Sequence, residues 1–162
     1  MEEETLNNII NTQKIEIGTT FSKNYNCFNC FKHITKKEYT SKSSHLPRII
    51  LKDINTKLNK EYLVQVIIFN SIAKNICYEK EKIFVHRLRP TETRKMDTNV
   101  KYAFVFNAEK DDSENCRYVF RGLYKLIHKD KVMLWERQNQ KEKTVLIDEE
   151  SIINSIKNQE KE

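Results

Sequence analysis

The chain has 162 residues, 38% of them hydrophobic, with eight Phe, seven Tyr and one Trp, which is enough for one domain with a core and too aromatic for a disordered chain. The net charge of +6 is uneven: residues 1–31 carry a net −2, residues 32–101 a net +9 from sixteen Lys/Arg against seven Asp/Glu, and residues 102–162 a net −1. The opening run of three glutamates argues against a secretory signal, and no apolar run approaches the roughly 18 residues of a membrane span, so a cytoplasmic chain (nuclear in a eukaryote) with reduced cysteines and no membrane partner is expected.

Residues 1–13 read as a short helix or a mobile lead-in, with Leu6, Ile9 and Ile10 at helical spacing behind an acidic first turn. Ile15-Glu-Ile17 is a short strand stopped by Gly18. Phe21, Tyr25, Phe28, Phe31 and Ile34 fall on one helical face, so residues 21–34 are predicted to be one core-facing helix capped by Thr19 or Thr20. Residues 35–48 are polar, basic and without periodicity, which predicts a loop of a length that is uncommon unless functional or disordered.

From residue 48 the strand signal dominates, with strands expected near 48–53, 62–70, 75–79, 82–87, 101–107, 117–127, 131–137 and 143–147. In the sixth, alternation puts Tyr118, Phe120, Gly122, Tyr124 and Leu126 on one face, and Val119, Arg121, Leu123 and Lys125 on the other. A closing helix over 149–157 has Asp148 as its cap and Ile152, Ile153 and Ile156 as its apolar side. The fold class expected is α+β: a mainly antiparallel curled sheet or open β-barrel with short helices near the N- and C-termini. Residues 1–162 read as a single recognition domain, with 1–13 and 158–162 as candidates for flexible ends.

A charge excess confined to the middle of the chain suits a polyanionic partner, because each phosphate neutralised releases a counterion. Two loops concentrate it. His86-Arg-Leu-Arg-Pro-Thr-Glu-Thr-Arg-Lys95 holds Arg87, Arg89, Arg94 and Lys95 beside His86, Thr91 and Thr93, and Pro90 stiffens it. Arginine forks suit phosphate oxygens and guanine edges. The other loop, first along the chain, offers Lys36, Lys37, Lys42, Ser43, Ser44, His45 and Arg48 for phosphate contacts, and Tyr39 to stack on a base. The plainer alternative is a solvent-facing loop whose arginines pair with Glu92 and Asp97 for residues 86–95, and a flexible surface insertion for residues 36–48.

Other constellations read as structural. Cys27-Phe-Asn-Cys30 with His33 resembles half of a zinc site, but Cys77 and Cys116 do not form a second C-x-x-C, and an aromatic-lined helix makes both thiols small core residues. No metal or cofactor is assigned. Asp111, Asp112 and Glu114 read as solvated turn residues, and Trp135 as core in preference to the wall of a flipped-base pocket. No Gly-rich phosphate loop, G-x-S-x-G or H-E-x-x-H is present, so the chain reads as non-catalytic.

The run Tyr102-Ala-Phe-Val-Phe106, an acidic turn, Tyr118 to Leu126 and Val132-Met-Leu-Trp-Glu-Arg137 resembles the SRA-like or pseudobarrel DNA-reading β-barrels attached to McrB-type and modification-dependent restriction systems. The resemblance covers about 36 residues and carries no family functional residue across. It implies a curled barrel that reads duplex DNA through loops, with cleavage supplied by a nuclease or NTPase domain or subunit. Alternative functions from the same basic loops are a protein-interaction or inhibitor module with an acidic partner, and an RNA-binding module.

Overall fold

Seven consecutive buried residues, Tyr102 to Ala108, mark a strand covered on both faces, and the fold is built around it. The computed structural model describes residues 2–43, 46–51, 62–70, 76–79, 82–85, 100–110, 112–129, 133–138 and 141–160. In chain order the elements are α1 (Glu2–Thr12), β1 (Lys14–Glu16), β2 (Thr20–Phe21), α2 (Asn24–Asn29), α3 (Lys32–Thr35), β3 (Arg48–Leu51), β4 (Tyr62–Asn70), β5 (Ile76–Glu79), β6 (Lys82–Val85), β7 (Tyr102–Lys110), β8 (Cys116–Lys129), β9 (Met133–Arg137), β10 (Thr144–Leu146) and α4 (Glu149–Glu160).

The main sheet has the order β3-β4-β7-β8-β9-β6-β5, with β2 pairing to β8 outside that path; β1 and β10 form a separate two-stranded sheet. The β4–β7 pair is parallel and every other pair antiparallel, so the sheet is mixed. Each strand expected from the sequence is present, and β2 is an addition.

Side chains sort to two cores according to the face of β7 they leave. Tyr102, Phe104 and Phe106 point into a cluster with Phe21, Phe31, Phe120, Ile152 and Ile156, where the helices cover the sheet. Ala103 and Val105 point into a second cluster with Ile67, Phe69, Ile83, Tyr124 and Trp135, contributed by the strands themselves and Val100. Large aromatics on one face and small residues on the other suit a sheet bent toward the second. The bend is measurable: Phe69 on β4 meets Trp135 on β9 edge to face at 6.0 Å between ring centroids. Those strands lie three positions apart, about 14 Å in a flat sheet. The sheet is therefore a curled half-barrel, as expected.

Two readings are corrected. Residues 21–34 are not one helix. Thr20 and Phe21 pair with Val119 and Tyr118 of β8, and the helical part splits into α2 and α3 at Phe31, whose φ of −110° and ψ of 9° break the repeat. Neither Thr19 nor Thr20 caps a helix; Thr19 Oγ1 donates to Glu16 O at 2.7 Å, and Lys23 is the N-cap of α2 with no side-chain hydrogen bond. The aromatic spacing found the core but not the backbone that delivers it.

The second correction concerns β8. Val105 pairs with Gly122 and Phe106 with Phe120, so Arg121 is bulged out. The bulge reverses the alternation. Phe120 and Leu123 share the helix-covered cluster, while Tyr124 crosses to the other. A second shift between Leu126 and His128 leaves Ile127 49% exposed.

Gly122 makes the first bulge possible. Its φ is +118°, and a Cβ there would sit 3.0 Å from Ile17 Cδ1 and 3.4 Å from Arg137 Nε. Gly122→Ala is expected to destabilise the protein by about 1–3 kcal/mol through backbone strain and crowding. Urea unfolding measures this, and a change within about 0.5 kcal/mol would show that the bulge does not depend on the glycine.

The first and last helices start on side-chain hydrogen bonds. The Glu2 carboxylate accepts the Ser22 N–H and hydroxyl at 2.7 and 3.0 Å and the Asn26 amide. Asp148 caps α4 as expected, accepting the Ser151 N–H and hydroxyl, each at 2.8 Å. No helix among the described residues is long and apolar enough to cross a membrane.

Candidate nucleic-acid interface

The first basic loop is anchored rather than structureless. Lys36 ends α3 in the left-handed region (φ 58°, ψ 30°), its N–H donating to Lys32 O. Three residues on, Asn29 grips the Tyr39 backbone from both sides: Asn29 Oδ1 accepts the Tyr39 N–H at 2.7 Å and Asn29 Nδ2 donates to Tyr39 O at 2.9 Å. The next residues close a turn, with Ser43 Oγ accepting from Thr40 N, Thr40 O accepting from Ser43 N, and Thr40 Oγ1 accepting from Lys42 N. Pro47 O accepts from Val66 N, and Arg48 opens β3.

This scaffold leaves Lys36, Lys37, Lys42 and Arg48 on the surface, with Lys37 Nζ 5.5 Å from the centroid of the Tyr39 ring. Tyr39 itself is corrected. Expected as a stacking platform, it is 4% exposed and packs edge to face on Phe28 at 5.7 Å. Stacking on a base would require it to leave the core. The Ser43 hydroxyl is engaged within its own turn. Ser44 and His45 lie outside the described residues.

His86, Arg87, Arg89, Thr91, Thr93, Arg94 and Lys95 also lie outside the described residues, but the strand ends that bracket them do not. Val85 pairs with Met133, which pairs with Lys129 of β8; Tyr102 pairs with Lys125. Both bracketing ends therefore sit toward the C-terminal end of β8. Arg48 pairs with Gln65, and Gln65 with Ala103, so the first loop joins the sheet one rung from the start of β7 and two strands over, about 10 Å away.

Two further cations stand at that end. Lys101 is exposed and its carbonyl accepts from Leu126 N, while Lys125 Nζ lies 5.8 Å from the centroid of the Tyr102 ring. Sequence reading did not select them, because they are 24 positions apart and meet only through strand pairing; Lys101, just before β7, was the available signal. The opposite end of β8 carries both signs, with exposed Asp112 and Glu114 at the β7–β8 turn beside exposed Lys110 and Arg117. Nearby, Glu109 accepts two hydrogen bonds from Arg117, an exposed pair that contributes about 1 kcal/mol or less.

The remaining chemistry-bearing groups are inward. Cys27 and Cys30 are buried, with their thiols directed at Lys23 O and Asn26 O, and burial raises both above the ordinary thiol range. Burial also pushes the Tyr118 phenol up to about 12, helped by its hydrogen bond with Cys116. Among the described residues no three His, Cys, Asp or Glu side chains are grouped to hold a metal ion. Trp135 is fully buried, and its Nε1–H has no partner among the described residues. A cleft of about 290 Å³ between β9 and α4 has Phe104 and Leu123 among its apolar lining and Arg137, Asn154 and Ser155 among its polar lining.

No protein-family model matches this chain, and no curated protein does. Among solved structures it is similar to the 5-hydroxymethylcytosine-specific restriction enzyme AbaSI, with a TM-score of 0.51 and 18% identity over 87% of this chain and 44% of that one. It is also similar to KRYPTONITE in complex with mCHH DNA, H3(1-15) peptide and SAH, with a TM-score of 0.46 and 11% identity over 85% of this chain and 38% of that one. The chain spans less than half the length of either. At these identities the likeness is one of fold, and it bears out the SRA-like pseudobarrel architecture that the strand pattern resembles.

Proposed function

We propose that this chain binds duplex DNA as a recognition module, using the basic loops that enter the sheet around β3 and β7. The observation that carries the reading is the placement of Arg48, Lys101 and Lys125 within two rungs of one another on β3–β4–β7–β8, at the end of the sheet where the strands bracketing Arg87, Arg89 and Arg94 begin and end. Cations held toward one end of a sheet lower the ordering cost of phosphate contacts.

Lys36, Lys37, Lys42, Lys95, Lys101 and Lys125 are assigned to phosphate contacts. Arg87, Arg89 and Arg94 supply forks for phosphate and one or two base edges. Ser44, His45, His86, Thr91 and Thr93 belong to the same two loops. The fold shared with a 5-hydroxymethylcytosine-specific enzyme makes modified cytosine the first base to test. The chain's part is recognition, and a nuclease or NTPase domain or subunit would supply any cleavage.

Competition binding tests this with four competitors: unmodified duplex DNA, the same duplex carrying 5-hydroxymethylcytosine, single-stranded RNA and an acidic polypeptide. The expected result is displacement by duplex at lower concentration than by RNA or polypeptide. Preferential displacement by RNA or by the polypeptide would overturn the DNA reading in favour of that class.

A further inference from the structure

One part-buried contact joins the base of the first basic loop to the residue before the C-terminal helix's cap. His33, on α3, places Nε2 3.1 Å from Ile147 O, 114 residues away. Ile147 is a node: it is fully buried, its N–H donates to Gln13 O at 2.8 Å, and it directly precedes Asp148, the cap of α4. Helix α4 in turn drives Ile152 and Ile156 into the helix-covered core. On the other side, α3 runs into Lys36, where the basic loop begins.

The Nε2–H bond is open to both protonation states, but the surroundings of Nδ1 suit only the neutral one. A neutral imidazole with its proton on Nε2 donates to the Ile147 carbonyl and leaves Nδ1 bare. Nδ1 is buried and has no partner among the described residues. A second proton would therefore be added at a buried position with no acceptor among those residues. Two charged groups face the ring: Lys36 at the end of α3 opposes a positive imidazole, and Asp148 at the start of α4 favours one. Burial outweighs the help from Asp148 and from the Ile147 carbonyl, and holds the imidazole pKa below its ordinary value.

We propose that His33 is a pH-sensitive latch that fastens the start of α4 to α3 when neutral and releases it when protonated. Because the folded-state pKa is depressed, the latch stabilises the fold above the ordinary imidazole pKa of about 6.5. That stabilisation is lost as pH falls through 6.5 toward the lowered folded value. The latch stands apart from the DNA-binding reading; only its effect on the loop that begins at Lys36 depends on it.

Two measurements on the full chain decide the matter. The first is an NMR titration of the His33 ring, expected to give a midpoint below about 6.5. The second is amide exchange over residues 149–157 at about pH 7.5 and about pH 5.5, corrected for intrinsic exchange, in the wild type and in His33→Gln. Glutamine keeps an amide donor for Ile147 O without a titrating proton. Wild-type protection of α4 is expected to fall, by at most about tenfold per pH unit, while His33→Gln stays level. A His33 midpoint at or above the ordinary value, or α4 protection falling equally in both proteins, would overturn the latch. If His33→Gln does not fold, the wild-type titration alone decides.

Discussion

Simultaneous replacement of Arg87, Arg89 and Arg94 by alanine is expected to weaken duplex-DNA binding by about 10- to 1,000-fold at moderate salt, with little loss of stability. The size follows from the two roles open to each arginine. One that neutralises a phosphate contributes close to one unit of salt slope, so removing three should flatten log K against log salt by about two to three. One that reads a base edge is worth about 1–3 kcal/mol of discrimination. Arginine side chains are almost never fully buried unless paired, so the thermal midpoint is expected to stay near that of the wild type, as for ordinary surface substitutions. The paired measurement separates a lost contact from a lost fold. Unchanged affinity and slope would remove the second basic loop from the interface, and a collapse in stability would make it structural.

The largest effect on the fold is expected at Trp135. It fills the cluster on the concave face and meets Phe69 from a strand three positions away, so its ring holds the curl closed. Trp135→Ala should cost about 3–5 kcal/mol, the usual range for deleting a buried large aromatic. Trp135→Phe should cost much less. It loses part of the volume but also removes an indole N–H that has no partner among the described residues, and an unpaired buried donor is itself a penalty. Denaturant unfolding of both variants checks the ordering. Should Trp135→Phe keep its stability and lose DNA binding, the indole would be a reader of DNA and not a packing residue.

The sequence made the strands easy to find and their faces hard. Runs such as Val64 to Phe69 and Tyr102 to Phe106 are β-branched and aromatic, and they became β4 and β7 near the expected limits. Their parallel pairing was not legible, because it depends on a crossover and not on either segment alone. The register of β8 failed first at one residue: a bulge at Arg121 moves Leu123 and Tyr124 to the faces opposite those expected, and alternation cannot announce it. The apparent 21–34 helix failed differently. Phe21, Phe28 and Phe31 are all buried as helical spacing suggested, yet Phe21 arrives from a strand.

The candidate interface was legible as charge and illegible as geometry. Counting cations located the middle segment but could not join Lys101 to Lys125, whose proximity is created by the β7–β8 register. Tyr39 was misjudged because the polar loop around it suggested solvent. The two hydrogen bonds from Asn29 that draw its backbone inward have no signature in composition.

The central claim is that cations gathered toward one end of the sheet make this chain a duplex-DNA binder. Its most direct test is the affinity of the intact protein for one duplex across salt from about 50 to about 200 mM. Binding that weakens steeply, with a log–log slope of about −3 or beyond, is the result expected from at least three neutralised phosphates. A slope near zero, or no binding at the lowest salt, would contradict it.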